Sequence, residues 1–319
     1  MSDTLLSVED LTMHYFSSQG EVKAVDGISF SLKRGQAMGL VGESGCGKSS
    51  IAIALLKLLP DNGRLISGRV MLDGVDLVQL NDTQMQRIRW KKISIVFQAA
   101  MNSLDPVYKV GDQIIEAIEI HLDLSRAEAR QKVEDLFELV GLDPGFINRY
   151  PHEYSGGMKQ RAVIAMALSC DPDIIIADEP TTALDVIVQD RILREIREIQ
   201  KRMNMSMIYI SHDMAVIAEV SDIVGVMYAG KLVEVGETVE IFQRPIHPYT
   251  QALMSAFPSV TGEKHELTTL PGEPPNLIDP PKGCRFNPRC QYATSVCRKE
   301  EPPIVRRGEH WAACWNPLE

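Results

Sequence analysis

Residues 42–49 form a glycine-rich run: Gly42, Glu43, Ser44, Gly45, Cys46, Gly47, Lys48 and Ser49, with Ser50 next. The spacing fits G-x-x-x-x-G-K-[ST]. Glycines at these places let backbone N–H groups curl around a polyphosphate, and a helix starting there adds partial positive charge. Lys48 supplies a full charge to the β- and γ-phosphates, and the Ser49 hydroxyl is the kind of oxygen that Mg2+ takes. Further on, Asp178 and Glu179 close the apolar run Ile174–Ala177. A carboxylate at the end of a buried strand suits Mg2+, and Glu179 beside it can polarise an attacking water. An isolated Asp–Glu pair is ordinarily just a solvated strand end. Together with the glycine loop, the pair implies hydrolysis of a nucleoside triphosphate.

The elements that must position these groups are legible. Ala37–Val41 is apolar and enters the loop as a strand, and Ser49–Leu59 reads as the following helix, ended by Pro60. Strand, glycine loop and helix in that order separate the motif from a chance match. Residues 5–40 alternate as short strands of an antiparallel sheet. Strand character returns in GRVMLDG and KISIVFQ, residues 110–165 are mostly helical, Ile187–Met203 is a helix and Ser206–Ile210 a buried strand. Alternating strands and helices predict an α/β core.

A second phosphate-directed feature is Tyr154-Ser155-Gly156-Gly157-Met158-Lys159-Gln160, a serine and two glycines opening the helix Met158–Leu168. Taken alone, Ser155 is an ordinary helix cap. With the loop and the Asp–Glu pair, the chain resembles the nucleotide-binding subunits of ABC transporters, whose signature is LSGGQ-like. The resemblance covers residues 5–240, and Met158 departs from the commoner glutamine. It implies an α/β fold: an ABC-type P-loop NTPase core with an antiparallel β subdomain and an α-helical subdomain at about 100–165. It also implies that Ser155, Gly156, Gly157 and Met158 cap the ATP held by a partner subunit in a head-to-tail dimer. By the same resemblance Tyr15 stacks on adenine, Gln98 senses Mg2+ and the transmembrane partner, and Ala183-Leu184-Asp185 crosses the dimer interface. His212 is the switch histidine that holds the γ-phosphate and orients Glu179. The expected catalytic residues are Glu179 and His212, and the expected Mg2+ set is Ser49, Gln98 and Asp178.

The chain has 319 residues and a formal net charge of -10, which argues against a dedicated nucleic-acid surface. A soluble ATPase of the same family acting on ribosomes or DNA would need basic patches. No apolar run reaches the length of a membrane span, and MSDTLLSVED has no basic-then-apolar pattern of a signal peptide. The expected location is the cytoplasmic face of a prokaryotic membrane, reached through partners.

From about residue 241 prolines are dense, and LPGEPPNLIDPPKG cannot form a long helix or a central strand. The predicted organisation is an ATPase domain at 1–240 and an extension at 241–319. In the extension Cys284, Cys290, Cys297 and Cys314 are spaced C-x5-C-x6-C-x16-C. Four thiolates suit a [4Fe–4S] cluster or tetrahedral Zn2+, and no CxxC pair supports a zinc ribbon. Disulfides are disfavoured in a reducing compartment. Cys46 and Cys170 are plain thiols, although a helix N-terminus at Cys46 would lower its pKa.

The extension narrows the resemblance. His247-Pro248-Tyr249-Thr250-Gln251-Ala252-Leu253, the run from Pro274 to Cys290, and QAAMNSLDP resemble the dipeptide/oligopeptide importer ATPases, although Ala99 and Ala100 depart from the commoner QDPMNSLNP-like form. That resemblance favours the iron–sulfur cluster and a D-type subunit. It implies a heterodimer with a second ATPase, two transmembrane permease subunits and an extracytoplasmic substrate-binding protein. Importers of this group also carry oligosaccharides or nickel, so the cargo stays open.

Overall fold

The computed structural model describes residues 3–98, 100–181, 185–255 and 270–319. Ala99, Ala183 and Leu184 lie outside them. The described chain falls into two compact units.

The first unit comprises Met1–Leu32, Ala37–Val78 and Ile210–Glu319. Strands β1 (Thr4–Ser17) and β2 (Gly20–Lys33) are long and alternate apolar and polar residues, as in the Ile28–Lys33 end of β2. Next come β3 (Ala37–Val41), α1 (Lys48–Leu55), β4 (Gly63–Leu72) and β5 (Val75–Asp76). Strands β2-β1-β4-β5 form one sheet in that order, with β1 and β4 antiparallel. Leu6, Val8, Leu11, Met13, Val25, Ile28 and Leu32 are buried from it.

The second unit, Lys33–Gln36 and Gln79–Tyr209, begins with α2 (Asp82–Ile88) and β6 (Ile93–Val96). Helix α2 starts at an Asn81 capping box, a helix that the sequence reading of strands in GRVMLDG and KISIVFQ did not place between them. The helices α3 (Val110–His121), α4 (Arg126–Leu139) and α5 (Gly156–Leu168) follow. Then come β7 (Ile174–Asp178), α6 (Val186–Met203) and β8 (Ser206–Ile210). Here the strand order is β8-β7-β6, and β6 and β7 run parallel. Every residue of β7 and β8 is buried, as apolar strands covered on both faces require.

The chain completes the first unit with α7 (Met214–Val220), β9 (Ile223–Tyr228), β10 (Lys231–Glu237), α8 (Thr238–Gln243) and α9 (Pro248–Ser255). Two short strands, β11 (Ile304–Arg307) and β12 (His310–Ala313), lie near the C-terminus. The strands of this unit's second sheet follow the order β11-β12-β10-β9-β3. Residues Ala229 and Gly230, both at positive φ, turn β9 back on β10. The C-terminal strands thus extend a sheet that also contains β3, with β11 at its edge and β12 between β11 and β10.

The helix after the glycine loop is shorter than its sequence suggests. It ends at Leu55, with Lys57 at φ 49, before Pro60 is reached. Among the described residues no helix is long and apolar enough to cross a membrane.

Candidate functional site

Strand β3 is wholly buried and pairs in parallel with β9, from Met38↔Ile223 to Val41↔Val226. It delivers the chain to Gly42 at its C-terminal end. A Cβ on Gly42 would lie 2.2 Å from Met227 O, and one on Gly47 2.0 Å from Ala24 O. Both glycines have positive φ, so no other residue fits either place. Helix α1 begins at Gly47 with no side-chain cap and no acid in its first turn. Its free N–H groups remain available to an anion.

Lys48 is buried, and its Nζ donates to Gly42 O at 2.7 Å and Glu43 O at 3.1 Å. Ser49 is exposed and Ser50 buried. Tyr15, half-buried at the end of β1, places its hydroxyl 3.2 Å from Ser50 Oγ. The expectation for Cys46 is corrected here. Burial raises its thiol pKa, and the opposing charge of Lys48, whose Nζ is 3.7 Å from Sγ, does not reverse that. Burial also raises Cys170. His212 is exposed, two residues beyond the end of β8, and Asp213 caps α7 through the N–H of Ala215.

The second unit holds the other candidate residues. Strands β6 and β7 are in register, with Val96 opposite Ala177, so their C-terminal ends share one edge. Asp178 is buried there. Two positions beyond that pair on each strand, Gln98 Nε2 donates to Glu179 Oε2 at 2.8 Å. Sequence reasoning missed this contact because the two residues are 81 apart. Glu179 has φ 47, a left-handed conformation that costs a non-glycine residue roughly 1–2 kcal/mol.

Helix α5 opens at Ser155, whose Oγ accepts from the N–H of Met158 at 3.4 Å; no acid follows in the first turn. Arg161 anchors this helix by donating to Val140 O and pairing with Glu195. The buried Tyr154 donates to Phe146 O at 2.7 Å. Asp185 caps α6 by accepting from the N–H of Val188 at 3.0 Å. The next two residues, Val186 and Ile187, are 81% and 83% exposed.

All six cysteines are free thiols. Those of the extension are grouped: Cys314 senses the charges of Cys284, Cys290 and Cys297. Burial pushes Cys284 up to about 11 and Cys314 up to about 12 and also raises Cys290. Backbone N–H groups of Phe286, Tyr292 and Asn316 oppose this by facing the sulfurs. Thr294 Oγ1 lies 3.3 Å from Cys297 Sγ. Cys297 and Cys314 are buried and Cys284 and Cys290 half-buried; thiols faced by N–H donors have the donor chemistry of a thiophilic metal group. Among the described residues, however, no group of three or more His, Cys, Asp or Glu side chains could hold a metal ion. The geometry therefore favours neither the [4Fe–4S] cluster nor tetrahedral zinc, and either reading rests on the chemistry of the thiols alone.

The family profile described as "ABC transporter" matches residues 25–182. One described as "Oligopeptide/dipeptide transporter, C-terminal region" matches residues 233–297. The chain is 45% identical to a probable peptide ABC transporter ATP-binding protein of Sinorhizobium fredii, over 100% of this chain and 96% of that one. It is 44% identical to the dipeptide transport ATP-binding protein of Escherichia coli, over 99% and 97% of the two chains. Against the oligopeptide transport ATP-binding protein of that organism the identity is 42%, over 100% and 95%. Among solved structures, a dimeric ATP-binding cassette in a post-hydrolysis state with ADP and Pi has a TM-score of 0.66. That match, at 24% identity over 73% of this chain and 98% of the other, shows a shared fold. A part of the ABC transporter complex cbiONQ of Clostridium perfringens gives a TM-score of 0.66 at 28% identity, over 76% and 92%.

Proposed function

This chain belongs to the ABC transporter family as an ATP-binding, ATP-hydrolysing subunit, and from that premise we propose that it powers the import of dipeptides and oligopeptides. The observation that carries the cargo is the match of residues 233–297 to the oligopeptide/dipeptide transporter C-terminal region, outside the ATPase core. Full-length likeness to dipeptide and oligopeptide transport proteins supports it.

In this reading the N–H groups of Gly42–Ser50 and the Lys48 ammonium take the phosphates, and Tyr15 meets the adenine. Ser49, Gln98 and Asp178 are assigned to Mg2+, which when bound neutralises charge on the β- and γ-phosphate oxygens. Glu179 takes the proton of the attacking water as its oxygen bonds to the γ-phosphorus and the bond to the β–γ bridging oxygen breaks, that oxygen leaving with ADP, and His212 orients that carboxylate and the γ-phosphate. Glu179 accepts a hydrogen bond from the Gln98 amide. Ser155–Met158 cover the ATP of a second ATPase subunit, and Asp185 belongs to the crossing between them. The exposed apolar pair Val186 and Ile187 supports such an interface.

Two transmembrane permease subunits receive the motion, and an extracytoplasmic binding protein delivers the cargo, which places this chain on the cytoplasmic face of the membrane. A groove of about 650 Å3 in the second unit, lined by Trp90, Tyr108, Glu116, Ile120 and Arg126, supports the permease contact. Cys284, Cys290, Cys297 and Cys314 are proposed to hold a [4Fe–4S] cluster that staples the extension, since free, grouped thiols ringed by N–H donors suit one.

The test is uptake by cells or vesicles carrying the assembled transporter. Glu179→Gln is expected to keep ATP binding, lower turnover at least about 100-fold and abolish peptide uptake. Uptake of an oligosaccharide or of nickel in place of peptides would overturn the cargo. Turnover close to wild type in Glu179→Gln would overturn the role of Glu179.

A further inference from the structure

Glu43, the second residue of the phosphate loop, is held through each of its polar groups. Its N–H donates to Tyr249 Oη at 3.0 Å. Its carbonyl accepts from Lys48 Nζ at 3.1 Å and from the N–H of Cys46 at 3.2 Å. Its carboxylate receives both Nη atoms of Arg289, at 2.6 and 3.0 Å. Tyr249 and Arg289 lie 206 and 246 residues downstream, in the extension.

This is no surface ion pair. The Arg289 side chain is 5% exposed, and its Nε donates to Pro271 O at 2.8 Å. Its Nη1 also reaches Tyr228 Oη at 3.3 Å. Beside it the rings of Tyr228, Tyr249 and Phe286 pack with centroids 4.6, 5.2 and 5.3 Å apart. Phe286 and Arg289 sit between Cys284 and Cys290, and the N–H of Arg289 donates to Phe286 O at 3.0 Å. The same block grips the loop from another side. Arg285 donates to Ala229 O and pairs with Asp26, while the N–H of Gly230 donates to Cys46 O at 2.8 Å.

A forked, buried guanidinium on a carboxylate fixes direction as well as distance. A phosphate loop works by presenting N–H groups in one preset curl. We propose that Arg289 and Tyr249 are positioning residues that hold the phosphate loop in its nucleotide-accepting shape, so that the segment between Cys284 and Cys290 sets the affinity for nucleotide. The proposal rests on reading Gly42–Ser50 as the nucleotide loop and is independent of what the cysteines hold. A displacement of Phe286 or Arg289 caused by a change at the cysteines is read at Glu43.

The experiment titrates a fluorescent ATP analogue into the full-length chain and its variants, alongside ATPase kinetics and metal analysis. Arg289→Met is expected to weaken nucleotide binding about tenfold and to raise KM while kcat stays within about twofold. Arg289→Lys recovers part of the affinity, because a point charge cannot reproduce the fork. The double variant Glu43→Gln with Arg289→Met binds no worse than the poorer single variant, since both remove one interaction. Tyr249→Phe keeps the ring, removes the acceptor of the Glu43 N–H, and loses affinity by about threefold. Unchanged affinity in Arg289→Met, or losses that multiply in the double variant, would overturn the proposal. If Arg289→Met does not fold, Tyr249→Phe and Glu43→Gln decide, and wild-type affinity in both overturns it. Metal lost in step with affinity assigns the effect to collapse of the cysteine site and overturns the direct role of Arg289. Wild-type chain without iron would defeat the cluster reading and leave the nucleotide result standing.

Discussion

At the scale of single residues, the groups to which the proposed reading assigns the ATPase chemistry include two held in conformations most side chains avoid. Gly47 has φ 109, and its missing Cβ leaves room for Ala24 O. Gly47→Ala combines left-handed strain with a backbone clash. It is expected to cost about 2 kcal/mol of stability and to weaken nucleotide binding at least about tenfold. Thermal unfolding with and without ATP checks both: the ATP-induced rise in Tm shrinks or vanishes. Glu179, also at positive φ, accepts a hydrogen bond from Gln98. The motif residues were legible in the sequence because a phosphate loop is a local pattern of glycines and one lysine. The Gln98–Glu179 bond was not legible, since it depends on the register of two strands.

At the scale of elements, the C-terminal strands are tied into the sheet by one buried acid. Glu234 on β10 is fully buried; its carboxylate accepts from the N–H groups of Ile246 at 2.6 Å and His247 at 3.0 Å. His310 on β12 places Nε2 2.7 Å from the same carboxylate. Glu234→Ala leaves these groups without a partner and is expected to cost about 3–5 kcal/mol, seen as a lower urea midpoint and earlier proteolysis of the extension. His247 adds a pH dependence. Burial lowers its pKa to about 4, below the ordinary 6.5, although the charge of Glu234 opposes this. The unfolded chain therefore binds a proton below pH 6.5 that the folded chain refuses until about pH 4. The stabilisation is complete above pH 6.5 and is lost as pH falls towards 4, by roughly 3 kcal/mol in total. Urea midpoints between pH 7 and pH 4 should show this slope, and His247→Asn should flatten it.

At the scale of the whole molecule, the C-terminal extension is part of the unit that holds the phosphate loop. Residues 210–319 share that unit with 37–78, and β11 and β12 extend the sheet that contains β3. A Pro-rich segment with few apolar positions then needs no large core of its own. Its cysteines supply the remaining staple in the proposed reading. Chain purified without oxygen is expected to contain about four iron and four sulfide per molecule. Cys297→Ser should lose that iron and destabilise residues 270–319 in hydrogen exchange. Stoichiometric zinc without iron in the wild type would refute the cluster.

The sequence by itself determined the nucleotide chemistry, the capped start of the signature helix, the buried strands and the family resemblance. All of these are written in residues that are neighbours along the chain or repeat with the period of one element. Tertiary structure alone decided that Arg289 and Tyr249 close on Glu43 and that Gln98 meets Glu179. It also decided that Glu234 binds the strand carrying His310, and that burial rather than the helix start governs Cys46. Each joins groups tens to hundreds of residues apart, or depends on how much water reaches a group. Neither register nor solvent exclusion is encoded in local spacing.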